Sequence, residues 1–112
     1  MVASALELER SIDRFQELLI HGIRVEAIVL YGSYVTGTPN EDSDIDVAII
    51  SPDFEGVPMW RRQEMIADLT MKRDRRLAPI GYPSSEYHNP GRHSFLREIV
   101  RTGRVVYEAP RE

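Results

Sequence analysis

The sequence contains no cysteine and a single tryptophan among its 112 residues. Without cysteine the chain has no disulfide, thiolate metal site or thiol nucleophile, and a reducing compartment such as the cytoplasm is expected. It also has no apolar run of the roughly 18–20 residues that span a bilayer. Its start, MVASALELER, is acidic and amphipathic, whereas a signal peptide begins basic and continues apolar. We therefore expect neither export nor a membrane.

Excess positive charge is missing as well, since the formal net charge is −4. Binding of long nucleic acid requires a basic surface that releases counterions, so no such partner is expected. A local basic run exists. It is better explained as the solvated C-terminal end of a helix, where cations interact favourably with the helix dipole, than as a phosphate site. The run comprises Lys72, Arg73, Arg75 and Arg76.

The length and the remaining composition are those of one globular domain, residues 1–112, with 42% apolar and 29% charged residues. Hydrophobic periodicity predicts the order helix, strand, strand, helix, strand, helix, strand. The first helix starts at a capping box of Ser4 and Glu7 and ends near Gly22. Its apolar stripe consists of Ala5, Leu8, Ile12, Phe15 and Leu19. The runs VEAIVLYG and DIDVAII are typical of interior strands.

The second half continues the alternation of helices and strands. A helix is expected from about Met59 to Arg73, after Pro58. RRLAPIGY is predicted to be a strand, in which Pro79 favours an edge position or a strand end. PSSEYHNPG is predicted to be a loop. A closing helix with Phe95, Leu96, Ile99 and Val100 ends at Gly103, and RVVYE forms the last strand. Together these elements predict an α/β (α+β) fold, with helices on one side of a small mixed β-sheet.

Two acids interrupt the second predicted strand. Side chains alternate between the faces of a strand, so Asp44 and Asp46 lie side by side on one face. Like charges this close repel each other and gain nothing for stability without a cation. Mg²⁺ takes a few carboxylates together with water and phosphate oxygens, which suits a nucleoside triphosphate site. The alternative is a solvated loop that leaves both acids in water.

A Gly-Ser pair ends the strand that precedes these acids. Gly32 lets a phosphate approach the backbone closely, and Ser33 offers a hydroxyl and a main-chain N–H to an anionic oxygen. Taken alone, GSYVTG is also compatible with a tight turn that needs glycine. Its coincidence with two acids on the adjacent strand favours a phosphate site that faces a metal.

The residues GSYVTGTPNEDSDID resemble the signature of the nucleotidyltransferase superfamily that includes DNA polymerase beta, in particular its minimal single-domain members. The family pattern is Gly-Ser, ten residues and Asp-x-Asp, which Gly32, Ser33, Asp44 and Asp46 meet. RRLAPIGYPSSEY and FLREIVRTGRVVYE resemble the tail of the same proteins. The resemblance implies the nucleotidyltransferase fold and transfer of a nucleoside monophosphate, commonly AMP from ATP, to an acceptor hydroxyl. It also implies that the Gly-Ser pair holds the terminal phosphates and that the two aspartates are catalytic ligands of Mg²⁺.

One position departs from the family. Active members carry a third carboxylate on a neighbouring strand, and the aligned residue here is Ala78, whose methyl group binds no metal and accepts no proton. Asp74 lies roughly 13 Å away along an extended chain, so it substitutes only if the register differs. Glu86 substitutes only if its loop folds back, and SSEY also reads as a helix cap with an exposed acid.

Two functions follow from this pattern. The first is a Mg²⁺-dependent enzyme that adenylylates an acceptor on a partner protein or in a homo-oligomer; minimal members are often paired with a HEPN-type protein in toxin–antitoxin modules. The second is a catalytically weakened, nucleotide-binding antitoxin subunit. Other groups support neither a metal site nor a hydrolase: the histidines His21, His88 and His93 lack ligand spacing, and the aromatic residues Trp60, Tyr82 and Tyr87 are expected in or around the core.

Overall fold

A computed structural model describes residues 2–71 and 74–110 of the chain. The predicted alternation is confirmed, with two short helices and a 3-10 turn in addition. The elements are α1 (Ala5–Ile20), β1 (Ala27–Tyr31), α2 (Ser33–Thr36), β2 (Ile45–Ser51), the 3-10 turn (Pro52–Phe54), α3 (Met59–Thr70), β3 (Leu77–Pro83), α4 (Ser84–His88), α5 (Phe95–Thr102) and β4 (Arg104–Glu108). The predicted loop PSSEYHNPG is therefore wrong in part, since its first half forms α4. Lys72 and Arg73 of the basic run lie outside the described residues.

Helix α1 forms as its sequence predicts. The Ser4 hydroxyl accepts a hydrogen bond from the Glu7 N–H, and the Glu7 side chain accepts one from the Ser4 N–H, which completes the capping box. Of the predicted stripe, Leu8, Ile12, Phe15 and Leu19 are buried, while Ala5 is exposed. No helix within residues 2–71 and 74–110 combines the length and apolar character needed to cross a membrane.

The four strands form one mixed sheet in the order β3-β2-β1-β4. Strand β1 pairs antiparallel with β2 and β4, whereas β2 pairs parallel with β3. The prediction that β1 and β2 are interior is confirmed, and so is the edge position of β3, where Pro79 needs no ladder hydrogen bond.

Helices cover both faces of this sheet rather than the one side that we expected. The first face carries Ile28, Leu30 and alternate residues of β2, and it packs against α1 and α3. The second face carries Ala27, Val29 and Ala48, and it packs against Leu96 and Ile99 of α5. Alternation along interior strands leaves apolar side chains on both faces, and each face needs a cover.

The outer edge of β3 is covered by polar side chains of α3. The Gln63 amide donates to the carbonyl of Pro79 at 2.7 Å and accepts from the Gly81 N–H at 3.0 Å. Arg62 donates to the Gly81 carbonyl at 3.1 Å. These contacts satisfy main-chain groups that could otherwise pair with a strand of another chain. They also fix β3, which carries Ala78, against β2.

We predict that Gln63→Ala destabilises the protein by about 1–3 kcal/mol, because it leaves a partly buried N–H and carbonyl of β3 without partners. Urea denaturation followed by circular dichroism measures the change. Asp68→Ala, on the exposed side of the same helix, is the matched control and should change the free energy of unfolding by less than about 0.5 kcal/mol. Equal effects of both variants would contradict the role given to Gln63.

Candidate functional site

The four residues of the Gly-Ser and Asp-x-Asp pattern come together at one end of the sheet. Strand β1 ends at Tyr31, immediately before Gly32, and Tyr31 pairs with Asp46 near the start of β2. On its other side, Asp46 pairs with Ala78 of β3. Paired residues project from the same face, so Asp46 stands between a tyrosine and a methyl group on the face covered by α5.

The contact between Gly32 and Asp46 determines the shape of the site. Gly32 has a φ of +78°, in the left-handed region that favours glycine. A Cβ atom added to Gly32 would collide with Oδ2 of Asp46. The Asp46 carboxylate therefore lies directly against the bare backbone of the turn, and any other residue at position 32 would force the two apart.

The Gly-Ser turn is anchored from the side opposite the carboxylates. Helix α2 is one turn long, and the N–H groups of Val35 and Thr36 both donate to the Gly32 carbonyl. The Tyr34 hydroxyl accepts a hydrogen bond from the Ala3 N–H at 3.1 Å, and both Tyr34 and Val35 pack against the core. The N–H groups that begin a helix have no partner within it, so the N–H of Ser33 is available to a ligand, as is its hydroxyl, which makes no hydrogen bond to the described residues.

A compact loop aims Asp44 at the same place. The Asn40 N–H donates to the Ser43 hydroxyl at 2.8 Å, the Ser43 N–H donates to the Asn40 carbonyl at 3.0 Å, and the Asp42 N–H donates to the Asn40 side chain at 2.9 Å. Asp44 follows this turn and precedes β2. The sequence predicted that Asp44 lies within the strand, whereas it lies just outside it. Asp44 is exposed and Asp46 is half-buried.

The pKa values of two groups in the site are raised. Burial raises the pKa of Asp46, and the negative charge of Asp44 raises it further. Burial also raises the pKa of Tyr31 to about 12, with contributions from Asp46 and Tyr82, so this phenol remains a proton donor at neutral pH. Bringing two acids together in a partly buried place costs free energy in the absence of a cation, as is typical of functional sites.

Neither of the two alternative acids comes near Ala78. Asp74 turns away to Arg76 and Ser11; burial favours its neutral form, but hydrogen bonds from these two residues outweigh burial and lower its pKa. Glu86 is exposed on α4, beyond the far end of β3, and the five residue steps from Ala78 to Pro83 alone span roughly 16 Å. The position beside Asp46 thus carries a methyl group and no acid.

The two carboxylates fit a divalent cation that takes most of its ligands from water and substrate. Within residues 2–71 and 74–110, no group of three or more His, Cys, Asp or Glu side chains could hold a metal ion. Asp44 and Asp46 offer two carboxylates on one side and open space on the other. Mg²⁺ prefers this arrangement, because it retains several waters and binds substrate phosphates together with one or two carboxylates.

A sizeable cavity lies elsewhere. It measures about 1250 Å³ between α1 and α3, and its lining includes Phe15, Ile66 and Leu77 from the first face of the sheet. None of the four pattern residues lines it. We place the candidate functional site at the carboxylates rather than in this cavity, because volume alone supplies neither paired charge nor a phosphate-binding turn.

Sequence reasoning missed two aromatic residues beside the site. From the sequence, Tyr31 was predicted only to end a strand, and Phe95 was assigned to the apolar stripe of the closing helix. Their rings meet edge to face, with centroids 5.7 Å apart and planes at 82°. The parity of β1 and β2 could have placed Tyr31 next to Asp46, whereas no local signal relates Phe95 to a strand 64 residues earlier.

The residues set aside at the sequence level take part in other contacts. His21 caps α1, His88 forms an ion pair with Glu26, and His93 is exposed before α5. Trp60, which was expected in or around the core, is 69% exposed on α3.

Comparisons with known proteins agree with this geometry. The family model described as "Polymerase beta, Nucleotidyltransferase" matches residues 14–112. A candidate protein adenylyltransferase of Methanocaldococcus jannaschii is 31% identical over 85 residues, which make up 75% of this chain and 80% of that protein. The crystal structure of a candidate nucleotidyltransferase from Sulfolobus solfataricus has a TM-score of 0.61 at 14% identity, over 96% of this chain and 90% of that one. At 14% identity, this likeness shows the fold alone.

The matched region includes the Gly-Ser turn, the two aspartates and the sheet that brings them together. Both the family match and the 31% identical relative cover most of the chain. This chain therefore belongs to the nucleotidyltransferase family of DNA polymerase beta.

Proposed function

We propose that the protein binds ATP with Mg²⁺ at Gly32, Ser33, Asp44 and Asp46 and transfers AMP to an acceptor hydroxyl. The observation that carries this proposal is the contact of the Asp46 carboxylate with the Gly32 turn. A triphosphate bound to the turn lies within reach of a cation held by the aspartates. The relative from Methanocaldococcus jannaschii supports AMP as the transferred group.

Each residue has a distinct part in binding. Gly32, which has no Cβ, lets the Asp46 carboxylate lie against the turn that would bind the phosphate, and the N–H and hydroxyl of Ser33 donate hydrogen bonds to phosphate oxygens. Helix α2 has only four residues, so direct hydrogen bonds matter more here than a helix dipole. Asp44 and Asp46 would hold Mg²⁺, which neutralises negative charge on the triphosphate during transfer.

Transfer requires an acceptor oxygen in line with the leaving group. The oxygen attacks the α-phosphorus, the bond from that phosphorus to the bridging oxygen breaks, and pyrophosphate leaves. The acceptor gives up its proton in this step. Ala78, which pairs with Asp46, cannot accept that proton, so we propose that water or a group on the acceptor takes it.

The acceptor is proposed to lie on a partner protein, and the resemblance to minimal family members points to a HEPN-type partner. A second copy of this chain in a homo-oligomer is the alternative source of the hydroxyl. The cytoplasm, which supplies ATP and Mg²⁺, is the proposed location.

Ala78 favours a second candidate function, that of a nucleotide-binding antitoxin subunit without appreciable transfer. Binding needs only the turn and the two aspartates, whereas transfer also needs activation of the acceptor. Loss of a general base reduces rates by about 10²–10⁴. The two functions therefore differ in the fate of bound ATP and share the same site.

We predict that Asp46→Asn weakens ATP binding in the presence of Mg²⁺ by roughly 10- to 100-fold, because a charged ligand of the cation is lost. In EDTA, which removes Mg²⁺, Asp46→Asn should bind ATP more tightly than the wild type does, because the variant has one negative charge fewer to repel the triphosphate. Isothermal titration calorimetry with a non-transferable ATP analogue measures both. Asp42→Asn makes the same charge change on an exposed residue four positions earlier and should bind as wild type does. Equal loss in the two variants would refute a specific site.

We predict that Ala78→Asp raises the rate of AMP transfer or ATP turnover by about 10²–10⁴, because it restores a carboxylate beside Asp46. Ala78→Asn, of the same size but without a charge, should not. Pyrophosphate release with Mg²⁺ and ATP reports the rate, and mass spectrometry of candidate partners reports the adduct. An unchanged rate in a folded Ala78→Asp variant that still binds ATP would show that the missing acid does not limit transfer.

A further inference from the structure

A large aromatic side chain stands exposed beside the carboxylates. Phe95 is the first residue of α5 and is 58% exposed, whereas Leu96 and Ile99 of the same helix are buried. The edge-to-face contact with Tyr31 occupies at most one face of the Phe95 ring. An apolar ring that the fold leaves open beside a polar site is a candidate for ligand contact.

Tyr31 connects Phe95 to the carboxylates. Side chains opposite each other on paired strands are about 5 Å apart, and Tyr31 stands opposite Asp46. The Phe95 ring centroid lies 5.7 Å from that of Tyr31. Tyr31 thus lies between Phe95 and Asp46, so a ligand that contacts both of these side chains would pass over Tyr31.

The surface around Phe95 suits an anionic, planar ligand. A shallow depression of about 500 Å³ surrounds the ring, and its lining includes Arg92, Arg97 and Arg101. Arg101 pairs with Glu98. The guanidinium groups of Arg92 and Arg97 make no ion pair with any residue that the structure describes, and they give positive charge to one place on a chain whose net charge is −4.

We propose that Phe95 is the stacking surface for the base of the bound nucleotide, so that the nucleoside extends from Asp46 across Tyr31 to the start of α5. The proposal rests on the proposed function, because it takes the position of the triphosphate from it. Base–aromatic stacking tolerates any base, since each has a π face. Phe95 therefore contributes affinity and orientation, and it holds the α-phosphorus in place from a distance.

The other aromatic residues do not meet these conditions. Tyr82 is buried, with 7% of its surface exposed, and Tyr87 packs against the core on the second face. Trp60 is exposed, but it lines the cavity between α1 and α3 on the opposite face of the sheet. It therefore serves as the matched control, an exposed aromatic residue remote from the carboxylates.

Calorimetry on the full chain with Mg²⁺ and two ligands tests the proposal. One ligand is a non-transferable ATP analogue and the other is inorganic tripolyphosphate, which lacks a base. Phe95→Leu keeps an apolar side chain and removes the π face; it should weaken binding of the ATP analogue by about tenfold or more and leave tripolyphosphate binding unchanged. Phe95→Trp should retain the affinity for both, and Trp60→Leu should leave both as in wild type.

The outcomes separate this inference from the function on which it rests. Wild-type affinity of Phe95→Leu for the ATP analogue would overturn the stacking role alone, provided that Asp46→Asn still loses both ligands. Loss of tripolyphosphate binding in Phe95→Leu, or loss of analogue binding in Phe95→Trp, would also overturn it, because the effect would then be structural. A wild-type protein that binds neither ligand would overturn the proposed function together with the inference.

Discussion

The carboxylate of Asp46 lies against the bare backbone of Gly32 because β1 and β2 pair so that one strand ends where the other begins. This antiparallel pairing joins a turn suited to phosphate to an acid suited to a metal ion. The cost of the arrangement is visible in the raised pKa of Asp46, to which burial and then Asp44 contribute. A bound cation would offset that cost by neutralising the paired negative charge.

Asp46 has two different neighbours on the second face of the sheet. On one side stands Tyr31, whose ring contacts Phe95 of α5, and on the other side Ala78 presents a methyl group. The contacts of Gln63 fix β3, so Ala78 remains next to Asp46. Among residues 2–71 and 74–110, no third acid completes a metal-binding group with the two aspartates.

Local chemistry made much of the fold predictable. The capping box at Ser4, the β-branched strands and the edge position required by Pro79 depend on near neighbours, and all are confirmed. Strand parity likewise placed Asp44 and Asp46 together. Periodicity tells which residues of a helix are buried but not which face of a sheet it covers, so the position of α5 on the second face was missed. The contact of Phe95 with Tyr31 was missed for the same reason, since it joins elements far apart in the chain.

Paramagnetic NMR tests the proposed metal site most directly. With Mn²⁺ in place of Mg²⁺ and a non-transferable ATP analogue, broadening of amide signals should depend on the nucleotide and should be strongest at Gly32, Ser33, Asp44 and Asp46. Signals of α3, such as that of Trp60, should remain sharp. Broadening centred on the cavity between α1 and α3, or broadening that does not depend on the nucleotide, would contradict the site described.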